Sequence, residues 1–207
     1  KVVFARLNWA GSLTCGAGAV SPPGTPARQN VRLSAGSAQP VDIAPSGYAE
    51  DGGYYSARAD VTSRFAGVSP VFDVTVGNVW APKGFGCVGG WSIALVYAYP
   101  ERNADYAPTK RKVVVYDGHV RQTADAPPAE TTITGFRAAA ADAHLGVTAY
   151  DGDWGASGDQ FLIDGTPAAE PATGGTSNFF IANADNAAAP NNFSVDAKSF
   201  NVDSVRA

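Results

Sequence analysis

The apolar residues of this chain are spaced for strands far more clearly than for helices. Val2–Trp9 ends in alternating polar and apolar positions, Arg6, Leu7, Asn8, Trp9, as a half-buried strand does. Asn30–Leu33 and the short Gln39–Ile43 follow the same rule, and the proline of the second suits a sheet edge. Tyr54–Val61 alternates aromatic and small residues, then runs into Thr62–Phe65, which predicts a single helical turn. Val71–Val79 is a further strand. Trp91–Tyr99 is apolar nearly throughout, the pattern of a central strand buried on both faces. Lys112–Gly118 predicts a strand closed by an Asp-Gly turn, and Gln160–Gly165 a second hairpin. Between them Thr131–Phe136 and Ala143–Tyr150 read as strands.

Punctuation separates these runs. Pro22, Pro23, Gly24, Thr25 and Pro26 exclude regular structure, and the stretch from Ala81 to Gly90 is a glycine-rich loop. Ala138–Ala143 is alanine-rich but too short for a stable helix. Beyond Pro171 the chain reads as a long irregular connection with one apolar island, Phe179-Phe180-Ile181, before the closing segments Asn192–Asp196 and Phe200–Asp203. About nine or ten short strands of uneven length predict an all-β fold, an antiparallel β-sandwich (jelly-roll-like) with long loops rather than a barrel. No internal repeat or composition break divides the 207 residues, so residues 1–207 are expected to form a single β-sandwich domain.

Charge narrows the partners. The formal net charge is −4, from 15 Lys+Arg against 19 Asp+Glu. That balance argues against nucleic acid and against a polybasic membrane surface. Charged residues are 16% of the chain, below the usual share of about 25%, and small polar residues replace them, as in many exported proteins. No apolar run of about 18 residues is present, so no membrane insertion is expected in this segment. The chain contains no methionine, which points to a processed or trimmed form. Two cysteines, Cys15 and Cys87, each lie in a glycine-rich turn. In an exported chain a Cys15–Cys87 disulfide is the preferred reading, with two free buried thiols as the alternative. Two cysteines and the distant His119 and His144 lack the spacing of a zinc finger.

Four constellations bear on chemistry. Asp151, Asp153 and Asp159 lie on a glycine-rich loop, and hard cations such as Ca²⁺ take several oxygen ligands from such loops. The D-x-D start resembles an EF-hand, but the twelfth-position glutamate is missing; a solvated turn is the competing reading. No cofactor is required by the sequence, and Ca²⁺ is the one candidate. Carboxylate pairs for glycoside hydrolysis are not evident, and Trp80, Trp91, Trp154, Tyr54, Tyr55, Tyr97 and Tyr99 are either a sugar-binding face or, the preferred reading, core. No G-x-S-x-G elbow supports a nucleophile, and neither histidine has a catalytic motif around it. A lysine amide cross-link, as in surface-fibre domains, needs a buried lysine beside a carboxyl or amide and a second acid. Of Lys1, Lys83, Lys110, Lys112 and Lys198, Lys112 is best placed because it opens an apolar strand; a solvated lysine is the preferred alternative.

Several of these segments also carry a resemblance. In order they are Ala5-Arg6-Leu7-Asn8-Trp9-Ala10-Gly11, Tyr55-Ser56-Ala57-Arg58-Ala59-Asp60-Val61-Thr62, Gly90-Trp91-Ser92-Ile93-Ala94-Leu95-Val96-Tyr97, Val115-Tyr116-Asp117-Gly118, Gly146–Asp153, Gly158-Asp159 and Val195-Asp196. Together they span roughly residues 2 to 203, and the chain resembles a β-sandwich domain of large secreted or cell-surface repeat-containing proteins of actinobacteria and other bacteria. The resemblance implies a secreted or cell-surface module and brings no catalytic residues. The expected function is therefore a non-catalytic structural or adhesive module of a surface or filament assembly, not an enzyme. Expected partners are other copies of itself, a cell-surface protein or a glycan. A carbohydrate-binding module with a calcium-supported loop is the alternative, and a secreted hydrolase the lesser one. Domains of that kind continue before the opening strand and after the last, so the resemblance implies a chain clipped at both ends, with an open sheet edge suited to strand addition.

Overall fold

The structure, a computed structural model, describes residues 1–16, 22–24, 29–68, 71–135, 143–184 and 194–202. The expectations for Thr25, Pro26, Phe136, the alanines from 138 to 142, Asn192, Phe193 and Asp203 lie outside the described residues. The contacts divide the chain into two compact units, Lys1–His119 and Val120–Ala207. The named strands are all antiparallel, eleven against the nine or ten expected, and the one helical element among the described residues is the 3₁₀ turn Thr62–Phe65, where the sequence predicts it.

The first unit is a two-sheet sandwich. One sheet has the order β4-β5-β1-β7, built from Gly47–Asp51, Tyr54–Asp60, Val2–Ser12 and Gly89–Tyr97. The other has the order β3-β2-β6, from Val41–Ile43, Val31–Ala35 and Val74–Gly77. The period of two in β1 sends Ala5, Leu7 and Trp9 inward, and β5 does the same with Tyr55, Ala57 and Ala59. These meet Val31, Leu33 and Ala35 of β2 in one buried cluster, which is what makes the two sheets a sandwich. The indole N–H of Trp9 is not lost by burial, since it donates to the Gln29 carbonyl at 3.0 Å. Gly11 is dictated by close approach: a side chain there would collide with the Trp80 carbonyl oxygen and the Tyr55 ring.

Three strand expectations change here. Trp91–Tyr99 is found as β7, but at the end of its sheet, paired only with β1 among the described residues. Trp91, Ile93 and Leu95 pack on the core, while Ser92, Ala94 and Val96 occupy the other face. A small-apolar outer face imitates double burial in sequence, and the truly central strand is β1. Residues 111–120, by contrast, form no strand. Val113, Val114 and Val115 are exposed, and Asp117 is drawn onto Arg6 at 2.7 Å and Arg58 at 2.5 Å, both outward-facing on β1 and β5. An ion pair with two arginines replaces the expected Asp-Gly hairpin. Residues 131–134 are likewise irregular.

The second unit is smaller. His144–Tyr150 (β8) pairs with Val195–Asn201 (β11), and Leu162–Ile163 (β9) with Thr166–Pro167 (β10) through Asp164-Gly165, both at positive φ as the expected tight turn requires. Two-stranded sheets are marginal alone. Phe161, Phe179, Phe180 and Phe200 supply the missing burial, with ring centroids 5.1 to 6.3 Å apart. The segment after Pro171 is thus irregular in backbone, as expected, yet its apolar island is the centre of this core.

Among the described residues no helix is long and apolar enough to cross a membrane.

Candidate functional site

Strand β11 explains how charge comes to lie inside the second unit. Successive inward positions on a strand are two residues apart, so Asp196, Lys198 and Phe200 share one face. Phe200 belongs to the phenylalanine core, and it takes the two charged residues inward with it. The Lys198 and Glu170 side chains are both fully enclosed, with Lys198 Nζ 2.8 Å from Glu170 Oε1 and 3.4 Å from Asp196 Oδ1.

Each carboxylate has further partners. Glu170 sits at the start of a tight turn, and its Oε2 accepts the backbone N–H groups of Ala172 at 2.9 Å and Thr173 at 2.6 Å. Asp196 accepts N–H groups from Ala182 at 3.1 Å on Oδ2 and from Asn183 at 3.0 Å on Oδ1. Burial raises the Asp196 carboxyl above the ordinary aspartate value, outweighing the hydrogen bonds from Asn183 and Ala182 and the charge of Lys198. Burial also presses Glu170 upward, but there the hydrogen bonds from Lys198 and Thr173 and the lysine charge prevail and hold it below the usual value. One cation thus faces two acids of divergent proton affinity in a site closed to water.

The acidic loop is bound up with this site. Gly152 is buried, and a Cβ on it would run into the Asp196 carboxylate and the Phe180 carbonyl. Asp151 N–H donates to the Ser194 carbonyl at 2.7 Å, and Asp153 N–H to Phe180 at 3.0 Å. Asp151 tolerates a φ of 72°, and desolvation together with the Asp153 charge lifts its carboxyl above the ordinary range. Asp159 turns its carboxylate to the N–H groups of Phe179 at 2.9 Å and Phe180 at 2.6 Å. Asn178 donates to the carbonyls of Asp153 and Trp154, and its Oδ1 is enclosed without a partner among the described residues. Among the described residues, no three His, Cys, Asp or Glu side chains gather as a metal site would require, so Asp151, Asp153 and Asp159 lie on one loop without converging.

The remaining candidates are in the first unit. Cys15 and Cys87 form a disulfide with Cα atoms 5.2 Å apart. It extends the β1–β7 ladder past Gly11 and Gly89, beyond the hydrogen bond from Ser12 N–H to the Val88 carbonyl at 2.9 Å. Of the aromatic set, Tyr55 is core, and Trp80 and Trp91 pack against it, whereas Tyr97 and Tyr99 are exposed, as is Trp154 in the second unit. Tyr99 also stacks on exposed Tyr106, with centroids 6.4 Å apart. Ser56 Oγ hydrogen-bonds His119 Nδ1, leaving Nε2 enclosed without a partner among the described residues. The nearby Asp117 serves the two arginines. A cleft of about 550 Å³ lined by Asn30, Asp42, Asn78 and Trp80 contains one carboxylate, where glycoside hydrolysis uses two.

The lysine favoured by sequence, Lys112, is exposed, and Lys198 is the buried one. Glu170, Asp196 and Lys198 do not stand out as a group in the sequence. The usable signal is Asp196-x-Lys198-x-Phe200: if Phe200 faces a core, the two charges face it as well. No protein-family model, curated protein or solved structure matches the chain.

Proposed function

We propose that this chain is a non-catalytic structural or adhesive module of an exported surface or filament assembly, joined to other copies by strand addition. The observation that carries this reading is β7. It is nine residues long, ends its sheet among the described residues, and contains no proline and no charged residue. Long uncharged edge strands template pairing with another chain, and proteins that must stay monomeric usually interrupt them. The disulfide supports export, because such bonds persist in oxidising compartments. It also holds β7 against β1 at the end where Gly11 faces Gly89.

Sedimentation across a concentration series tests this. The wild-type chain is expected to self-associate, and Ala94→Lys, a charge on the outward face of β7, is expected to leave a folded monomer. A wild-type chain that stays monomeric throughout the series would refute assembly through this edge.

The exposed Tyr99–Tyr106 stack favours a second reading, a glycan-binding module. Paired exposed rings offer a flat apolar platform with polar tips. The reading rests on this pair of rings alone. It predicts binding on a glycan array in the presence of Ca²⁺ that is lost in Tyr99→Ala and Tyr106→Ala. An array without hits removes it.

A further inference from the structure

We propose that Lys198 and Glu170 condense into an intramolecular amide, a covalent tie between β11 and the turn that follows β10. The inference is independent of what the chain binds or assembles with.

Three conditions for such a bond meet at this place. The first is proximity. Nζ lies 2.8 Å from Oε1 and both side chains are enclosed, so the amine and the carboxyl are held as one reactant. The second is a route to neutral reactants. An ammonium and a carboxylate away from water are costly to keep charged, and passing one proton between them gives a free amine and an acid that can react. The third is stabilisation of the tetrahedral intermediate. The N–H groups of Ala172 and Thr173 both point at Oε2, where negative charge develops when the amine adds to the carboxyl carbon.

The atoms balance without an outside reagent. The Nζ lone pair adds to Cδ of Glu170, forming the C–N bond. The bond from Cδ to Oε1 breaks, and Oε1 leaves as water with two protons that began on Nζ. The ammonium and the carboxylate become one amide N–H and one water. Asp196, 3.4 Å from Nζ, is the positioned relay: it takes a proton from the nitrogen and returns it to the departing oxygen. Asp196 is the less well placed of the two acids, since its nearer oxygen stands 3.4 Å from Nζ against 2.8 Å for Glu170. Enclosure also protects the product, since hydrolysis needs the water that the core excludes.

The test is the intact mass of the full chain after reduction of its disulfide, followed by peptide mapping. Folded wild-type protein is expected to be lighter than its sequence by one water and to yield a branched peptide joining Glu170 to Lys198. Lys198→Arg and Glu170→Ala are expected at full sequence mass. Asp196→Asn is expected to form the link roughly a hundredfold more slowly after refolding. The wild-type measurement stands alone if a variant fails to fold. Folded wild-type protein at full sequence mass overturns the proposal. So does water loss without a branched peptide, the mark of a succinimide at Asp51-Gly52, Asp117-Gly118, Asp151-Gly152 or Asp164-Gly165. A branch at Asp196 overturns the assignment of Glu170 as the acceptor, and an Asp196→Asn variant that links at the wild-type rate removes the relay.

Discussion

Replacing Lys198 with methionine is expected to destabilise the second unit by roughly 3–5 kcal/mol relative to the chain in which Lys198 and Glu170 are still an ion pair, because it leaves two enclosed acids with no cation. Methionine keeps most of the volume, so the loss is electrostatic rather than a cavity. The pH dependence separates the two. In the chain before that pair condenses, Glu170 lies below its ordinary value, so the unfolded chain binds more protons there and that contribution fades as pH falls through the carboxylate range. Asp196 lies above its ordinary value, so its contribution runs the other way, fading as pH rises through the same range. The two slopes oppose each other. Without Lys198 both acids are raised and both slopes point the same way, so Lys198→Met is expected to regain stability in acid. Hydrogen exchange at Leu145–Tyr150 and Val195–Asn201 reports this unit directly. Protection unchanged at neutral pH, or a loss that ignores pH, would contradict the electrostatic account. Adding Glu170→Gln to Lys198→Met should recover part of the loss, since fewer uncompensated charges remain.

Removing the disulfide by Cys15→Ala with Cys87→Ala is expected to cost the first unit about 4 kcal/mol on chain-entropy grounds. The two cysteines are 72 residues apart in sequence, so the bridge closes a long loop in the unfolded chain. A typical domain is stable by only about 5–15 kcal/mol, so this is a large share. Urea unfolding followed by tryptophan fluorescence is the appropriate measure, because buried Trp9, with Trp80 and Trp91 packed around the same core, reports on this unit. A cost below about 1 kcal/mol would mean that the unfolded chain gains little freedom, and the bridge would then matter only locally. The local effect has its own signature: the amides of Ser12 and Val88, which sit between the bridge and the ladder, should open first.

The pattern of alternation carries much of the fold. Ala5, Leu7 and Trp9 turn inward because a strand repeats every two residues, and that repeat is written in the order of the residues themselves. The same holds for the turn at Thr62–Phe65 and for Asp164-Gly165, where local geometry decides the outcome. The segment Lys112–Gly118 misleads for a related reason. Its residues are suited to a sheet, but a strand exists only when a neighbour offers a ladder, and Asp117 pairs with two arginines instead. The edge position of β7 is hidden because burial of its inner face and smallness of its outer face look alike in sequence.

The candidate site is less legible. Lys112 stands out over Lys198 because an apolar neighbourhood in sequence suggests burial, whereas Lys198 is enclosed beside a residue far along the chain, Glu170. Gly152 shows the same limit: it looks like a flexible member of a metal loop, and its requirement is set by Asp196, more than forty positions away.

Local order along the chain sets the strand-rich class, the inward faces of β1 and β5, the Asp164-Gly165 turn and the pair of cysteines, since each follows from local geometry or from there being only one partner available. Tertiary structure alone decided which strand is central, which lysine is enclosed, and which acids stand beside it. Those depend on contacts between residues distant in the chain, where burial and charge are weighed against alternatives that no local pattern records.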